Sequence, residues 1–161
     1  MINALLLKMT ELYAGDPACI QHFFKVHAFS RLIGMNEGLD AEALFTLEAA
    51  AAVHDIGIKY CRETYGSCNG KLQEKEGPAI AEKMLKELGF KDSVIQRVCY
   101  LVAHHHTYDN IDGTDYRILV EADFLVNLHE GSAAKEKAES VLKTIFKTQT
   151  GTKLLKDMFA L

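Results

Sequence analysis

His54 and Asp55 follow an unbroken run of small apolar residues, Ala49-Ala50-Ala51-Ala52-Val53, and precede Ile56-Gly57, so an imidazole and a carboxylate stand together inside hydrophobic sequence. Burying a carboxylate without a partner costs several kcal/mol, and a positive charge against it removes that cost. A metal ion is the first candidate. Positions three or four apart on a helix share a face, which lets the remaining ligands be sought by spacing. Leu44, Leu47, Ala51 and His54 form one such row; Ile20, Phe23 and His27 form another, with Arg31 one turn further on. Asp123 interrupts the row Tyr116, Leu119, Val126, and His105 ends the row Val94, Val98, Leu101. Any one of these groups alone reads more readily as a satisfied core histidine or an ion-paired aspartate than as a ligand. Four rows that each aim a metal-competent group inward point to a common partner, because a packed helical core holds so many polar groups only when they are paired.

The elements that must position these groups are helices. Apolar residues recur every three to four positions almost throughout, without strand-like alternation, which predicts an all-α fold of about seven to eight helices. The first covers about residues 2–14. Asp16-Pro17 supplies a cap and a first-turn proline for a second that runs to about Glu37, and Asp40 caps a third that ends at the His-Asp pair. Residues 58–72, with two glycines and an asparagine, read as a loop of functional length. A fourth helix starts near Gly77-Pro78, Asp92 or Ser93 caps a fifth reaching His104 to His106, and a sixth spans about 114–129. Helices near 133–148 and 151–160 carry no residues suited to chemistry.

At 161 residues and 48% hydrophobic, the chain has the material for one domain with a substantial core, taken as residues 1–161. A net charge of -4 argues against polymeric nucleic acid as a partner. The apolar start Met1 to Leu7 is broken by Lys8 and Glu11 and has no charged leader, and no apolar run is long enough to span a bilayer, so neither a signal peptide nor a membrane partner is expected. Cys19, Cys61, Cys68 and Cys99 show no CxxC spacing, which favours free thiols in the cytoplasm over half a zinc site at Cys61 and Cys68.

The order His27, His54-Asp55, His104-His105, Asp123 on successive helices resembles the HD-domain superfamily of metal-dependent phosphohydrolases, over roughly residues 20–130. The resemblance implies a helical bundle of the HD type in which His27, His54, Asp55 and Asp123 bind one metal. In members with two metals Asp55 would bridge the pair and His104 and His105 would serve the second. Those members carry a further histidine at the start of the helix after the doublet; here Glu76 stands there, able to ligate a hard cation through oxygen or to act as a base. His106 reads as a surface residue at a helix end.

Two imidazoles and two carboxylates suit Mn(II), Fe(II), Ni(II), Zn(II), Co(II) or Mg(II). Neither a GxSxG elbow nor a GxxxxGK[ST] loop occurs, so water activated by the metal is the expected nucleophile for hydrolysis of a small phosphate ester or nucleotide. Lys59, Arg62 and Lys71 after the doublet, together with Arg31, are the candidates to hold substrate phosphate, with Glu63 and Glu74 partly neutralising them. The lysine in HDIGIK is one position later than in the HDxGK form of some superfamily members. Two other functions are compatible with the same residues: a non-catalytic sensor that binds a metal and a nucleotide, and an HD-type oxygenase with two irons.

Overall fold

A computed structural model describes residues 1–161 and contains nine helices and no strand. In chain order these are α1 (Ile2–Leu12), α2 (Pro17–Asn36), α3 (Ala41–Val53), α4 (Ile58–Tyr65), α5 (Gly70–Glu87), α6 (Asp92–Val102), α7 (Gly113–Glu130), α8 (Lys135–Thr144) and α9 (Gln149–Phe159). The all-α expectation holds, with one helix more than the spacing suggested. No helix is long and apolar enough to cross a membrane.

The fold is built round α3. Every residue from Thr46 to Val53 is buried, as expected of a helix that is apolar on all sides. Its alanines favour the helix strongly and let α1, α2, α6 and α7 pack around it. The Asp40 carboxylate accepts hydrogen bonds from the Glu42 and Ala43 amides at its start. Asp16 likewise caps α2 through the Cys19 amide, with Pro17 in the first turn. One contiguous apolar core runs from Leu5 on α1 to Leu155 on α9. At the far end the fully buried Glu121 of α7 accepts from the Lys147 and Thr148 amides at 2.6 and 3.0 Å, tying the start of α9 to α7.

The stretch after the doublet departs from expectation. Residues 58–72 are not a loop: α4 occupies Ile58–Tyr65, and α5 begins at Gly70 instead of near Gly77-Pro78. Gly57 keeps helical angles (φ -76°, ψ -16°), so the chain re-enters a helix within four residues of α3, and Gly66 ends α4 at φ 70°. The Asn69 side chain accepts from the Leu72 amide and starts α5 about two turns early, which leaves Pro78 inside the helix. Proline there cannot donate to the carbonyl four residues earlier, which is why its presence suggests a helix start in sequence.

Three small-residue contacts hold this stretch against the core. A Cβ added at Gly57 would lie 3.2 Å from the Gly77 backbone, one at Gly77 would lie 2.8 Å from Val102 Cγ1, and one at Gly70 would lie 2.8 Å from the His106 ring. Backbone of α5 is thus pressed against both the doublet and the end of α6. Overpacking of this kind costs about 1–3 kcal/mol. Gly57→Ala is therefore expected to lower stability by about that amount, read from the urea midpoint at unchanged slope; a midpoint equal to wild type would mean that the contact is slack.

Candidate metal centre

His54 closes α3 and is almost fully buried; its Nδ1–H donates to the Ala51 carbonyl at 2.9 Å, which leaves the Nε2 lone pair pointing away from the helix. His22, in the second turn of α2, does the same with a different partner: Nδ1–H donates to Glu130 Oε2 at 2.9 Å. The two Nε2 atoms lie 3.2 Å apart. Asp123 Oδ1 is 3.2 Å from His22 Nε2 and 3.6 Å from His54 Nε2, and Asp55 Oδ2 is 3.4 Å from each. Lone pairs and carboxylate oxygens that converge this closely repel one another unless a cation or protons lie between them.

Asp55 also faces a second group. Its Oδ1 is 3.5 Å from Nε2 of His105, whose Nδ1–H donates to the Val102 carbonyl at 2.8 Å. That Nε2 is buried and has no hydrogen-bond partner. Beside it, His106 Nε2 lies 3.2 Å from Gln73 Oε1. Two trios result, His22 with His54 and Asp123, and Asp55 with His105 and His106, each with ligand atoms close enough to hold one ion. The orphaned His105 nitrogen and the mixed N/O donor set both fit a divalent cation. Partners further out orient the set: Asn127 donates to Asp123 Oδ1 at 2.7 Å, and the Tyr13 hydroxyl donates to the Asp55 carbonyl at 2.8 Å.

The electrostatics of these groups match this geometry. Burial pushes the His54 and His22 imidazoles down, but the Asp55 charge at His54 and the Asp123 hydrogen bond at His22 outweigh it, and both end above the usual histidine value. Burial would raise Asp55 and Asp123, yet the His54 charge for Asp55 and the His22 hydrogen bond for Asp123 hold both carboxyls below the ordinary range. His106 is brought down to about 4, by burial and then by His105.

Several expected site residues lie elsewhere. His27 is replaced by His22: His27 Nε2 sits 3.1 Å from Glu48 Oε1, whose other oxygen accepts from Arg31 at 2.9 Å. The row His22, Val26, Ser30, Ile33 is the buried face of α2 and has the same helical spacing as the row read from sequence. The histidine pair is His105-His106, not His104-His105. Because α6 ends at Val102, the following turns swing His104 outward, where its Nδ1–H donates to the Tyr100 carbonyl and its ring stacks on Tyr100 at 4.3 Å. Glu76 is turned away and accepts from the Tyr65 hydroxyl at 2.9 Å and pairs with Lys75 at 3.1 Å. With α5 beginning at Gly70, it is Gln73 that reaches the site. Glu74, beside it, accepts from the His106 amide and the Thr107 hydroxyl at 3.1 and 2.8 Å, and so holds the histidine turn.

None of the expected phosphate-binding cations lines the site. Arg31 is held by Glu48, Arg62 by Asp16 at 3.2 Å, Lys71 by Glu74 at 3.3 Å, and Lys59 donates to the Leu12 carbonyl at 3.0 Å. A cavity of about 280 Å³ opens over the two trios, lined among others by Met9, Tyr13, Phe23, Ile58, Gln73 and Glu130.

Two predictions follow from the geometry. Purified His22→Ala, His54→Ala and Asp123→Ala proteins are expected to lose bound divalent metal, whereas His27→Ala, His104→Ala and His129→Ala retain it; elemental analysis decides, and equal content in all six would end the assignment. Because the raised imidazoles hold protons that an ion must displace, metal affinity should rise with pH through and above the ordinary histidine value of about 6.5. Calorimetry in buffers of different ionisation enthalpy reads the released protons, and binding without proton release would contradict the arrangement.

Comparison with known proteins adds an independent line. The HD domain family profile matches residues 19–147, a span that contains both trios. A solved structure described as a predicted HD superfamily hydrolase from an uncultured Thermotogales bacterium superposes with a TM-score of 0.74 at 24% identity, covering 98% of this chain and 84% of that one. A search of the curated proteins finds no match. Four fifths of the chain, including each of the six converging side chains, thus falls within one recognised profile: the chain belongs to the HD domain family.

Proposed function

We propose that the protein is a metal-dependent phosphohydrolase that cleaves a small phosphate ester with water as the nucleophile. The observation that carries this reading is the convergence of two imidazole lone pairs and two carboxylate oxygens at the floor of an accessible cavity. His22, His54, Asp55 and Asp123 would hold one ion, and Asp55, His105 and His106 could hold a second. Such an ion lowers the pKa of bound water and polarises a phosphoryl oxygen. Mn(II), Fe(II), Ni(II), Zn(II), Co(II) and Mg(II) all accept this donor set.

The chain's own contributions are positional. The carbonyls of Ala51 and Val102 fix the His54 and His105 tautomers, and Glu130 fixes that of His22. In the overall reaction a water oxygen forms a bond to phosphorus, the ester P–O bond breaks, and one of the water's protons ends on the departing alkoxide, giving the alcohol, while the other stays with the phosphate. His106 lies on the cavity wall, held by its contact with Gln73, where it would serve a second ion with His105. Glu76 is outside the cavity and has no part in this scheme.

A screen of phosphate monoesters with each of the six metals should reveal hydrolysis that a chelator abolishes. Asp55→Ala should reduce kcat/KM by about 100-fold or more, and Glu76→Gln should stay within about twofold of wild type. Hydrolysis unaffected by Asp55→Ala would refute the assignment, and no turnover with any metal would favour a non-catalytic metal-binding sensor.

A further inference from the structure

The cavity over the two trios carries an unusual charge pattern for a protein that handles phosphate. Its 13 lining residues include three carboxylates, Asp55, Asp123 and Glu130, and no lysine or arginine. The cations around it are all engaged: Lys25 Nζ holds Glu130 Oε1 at 2.8 Å, and Arg31, Lys59, Arg62 and Lys71 have the partners described above. With Lys25 balancing Glu130, one divalent ion neutralises Asp55 and Asp123, and a second leaves a surplus that a single phosphoryl dianion cancels. In neither case is positive charge left for a further anionic group. Met9, Tyr13, Ala18, Phe23 and Ile58 make part of the cavity lining mostly apolar, and Gln73 and Asn127 contribute uncharged amides. At about 280 Å³ the space falls just below the range typical of drug-sized ligands.

From this we infer that the pocket selects phosphate monoesters whose alcohol is small and uncharged, and rejects substrates with additional negative charge such as nucleoside polyphosphates. The inference rests on the phosphohydrolase reading and narrows its substrate class. Glu130 serves two purposes in it. It orients His22 through Nδ1, and it places a carboxylate at the cavity wall, where like charge on the substrate is disfavoured.

The test uses a pair of substrates matched in size and shape, 4-carbamoylphenyl phosphate and 4-carboxyphenyl phosphate, with the two corresponding phosphonates as non-hydrolysable probes of binding to the metal-loaded protein. Wild type should favour the carbamoyl member by about tenfold or more in both kcat/KM and Kd. Ala18→Arg, at an exposed position on the cavity rim, should narrow both ratios to about threefold or less, because it supplies the missing cation. Discrimination between the phosphonates with no hydrolysis of either ester would support the selection and overturn the hydrolase reading. Hydrolysis of both esters at equal kcat/KM would overturn the selection and leave the hydrolase reading standing. A wild-type preference that Ala18→Arg leaves unchanged would overturn its electrostatic basis, and failure of both phosphonates to bind would overturn selection by this pocket.

Discussion

Three hydrogen bonds donated by ring nitrogens govern the chemistry available to this protein. The Nδ1–H groups of His54, His105 and His22 are committed to the Ala51 carbonyl, the Val102 carbonyl and Glu130. Each commitment leaves an Nε2 lone pair aimed at carboxylate oxygen, an arrangement that repels itself until a cation arrives. Without an ion, protons take its place, which is why the His22 and His54 imidazoles titrate high while the neighbouring carboxyls titrate low. The site is built for positive charge, and its partners are set by backbone geometry as much as by side chains.

That geometry depends on how the helices end. His54 and His105 both donate to a carbonyl three residues earlier, just beyond the last full turn of α3 and α6. Helix ends leave carbonyls without an intrahelical donor, and here imidazole N–H groups satisfy them. The close approach of Gly57, Gly70 and Gly77 to their neighbours then brings α5 near enough for Gln73 to meet His106. Side chains larger than hydrogen at those positions would hold α5 away from the doublet. The local chemistry of the site and the packing of the fold are thus one problem.

Charge is distributed with the same economy. The basic residues near the site are spent on structure: Lys59 on the end of α1, Arg62 on the Asp16 cap, Arg31 on the buried Glu48. No lysine or arginine is left to line the cavity, whose charged wall is formed by Asp55, Asp123 and Glu130.

Much of this could be read from sequence. The apolar periodicity specified an all-helical chain, and the polar groups His54, Asp55, Asp123 and His105 stood out because each interrupts or ends an apolar row. Periodicity reports which residues share a face, but not which of two neighbouring rows faces the core. His22 and His27 each end such a row on α2, and only the packing of α2 against α3 and α7 turned His22 to the doublet and His27 to Glu48. The same limit applies beyond the end of a helix, where extrapolation fails and the turn after Val102 decided for His106 over His104. Around the doublet, Pro78 was a misleading mark, since the Asn69 cap and the tight glycine contacts allowed α5 to begin about two turns earlier and present Gln73 in place of Glu76. The sequence by itself determined that helices would carry cation-binding groups and marked His54, Asp55, Asp123 and His105 among them. Tertiary structure decided which of those groups meet, because the meeting depends on helix rotation and on helix ends, and neither is encoded in spacing along one helix.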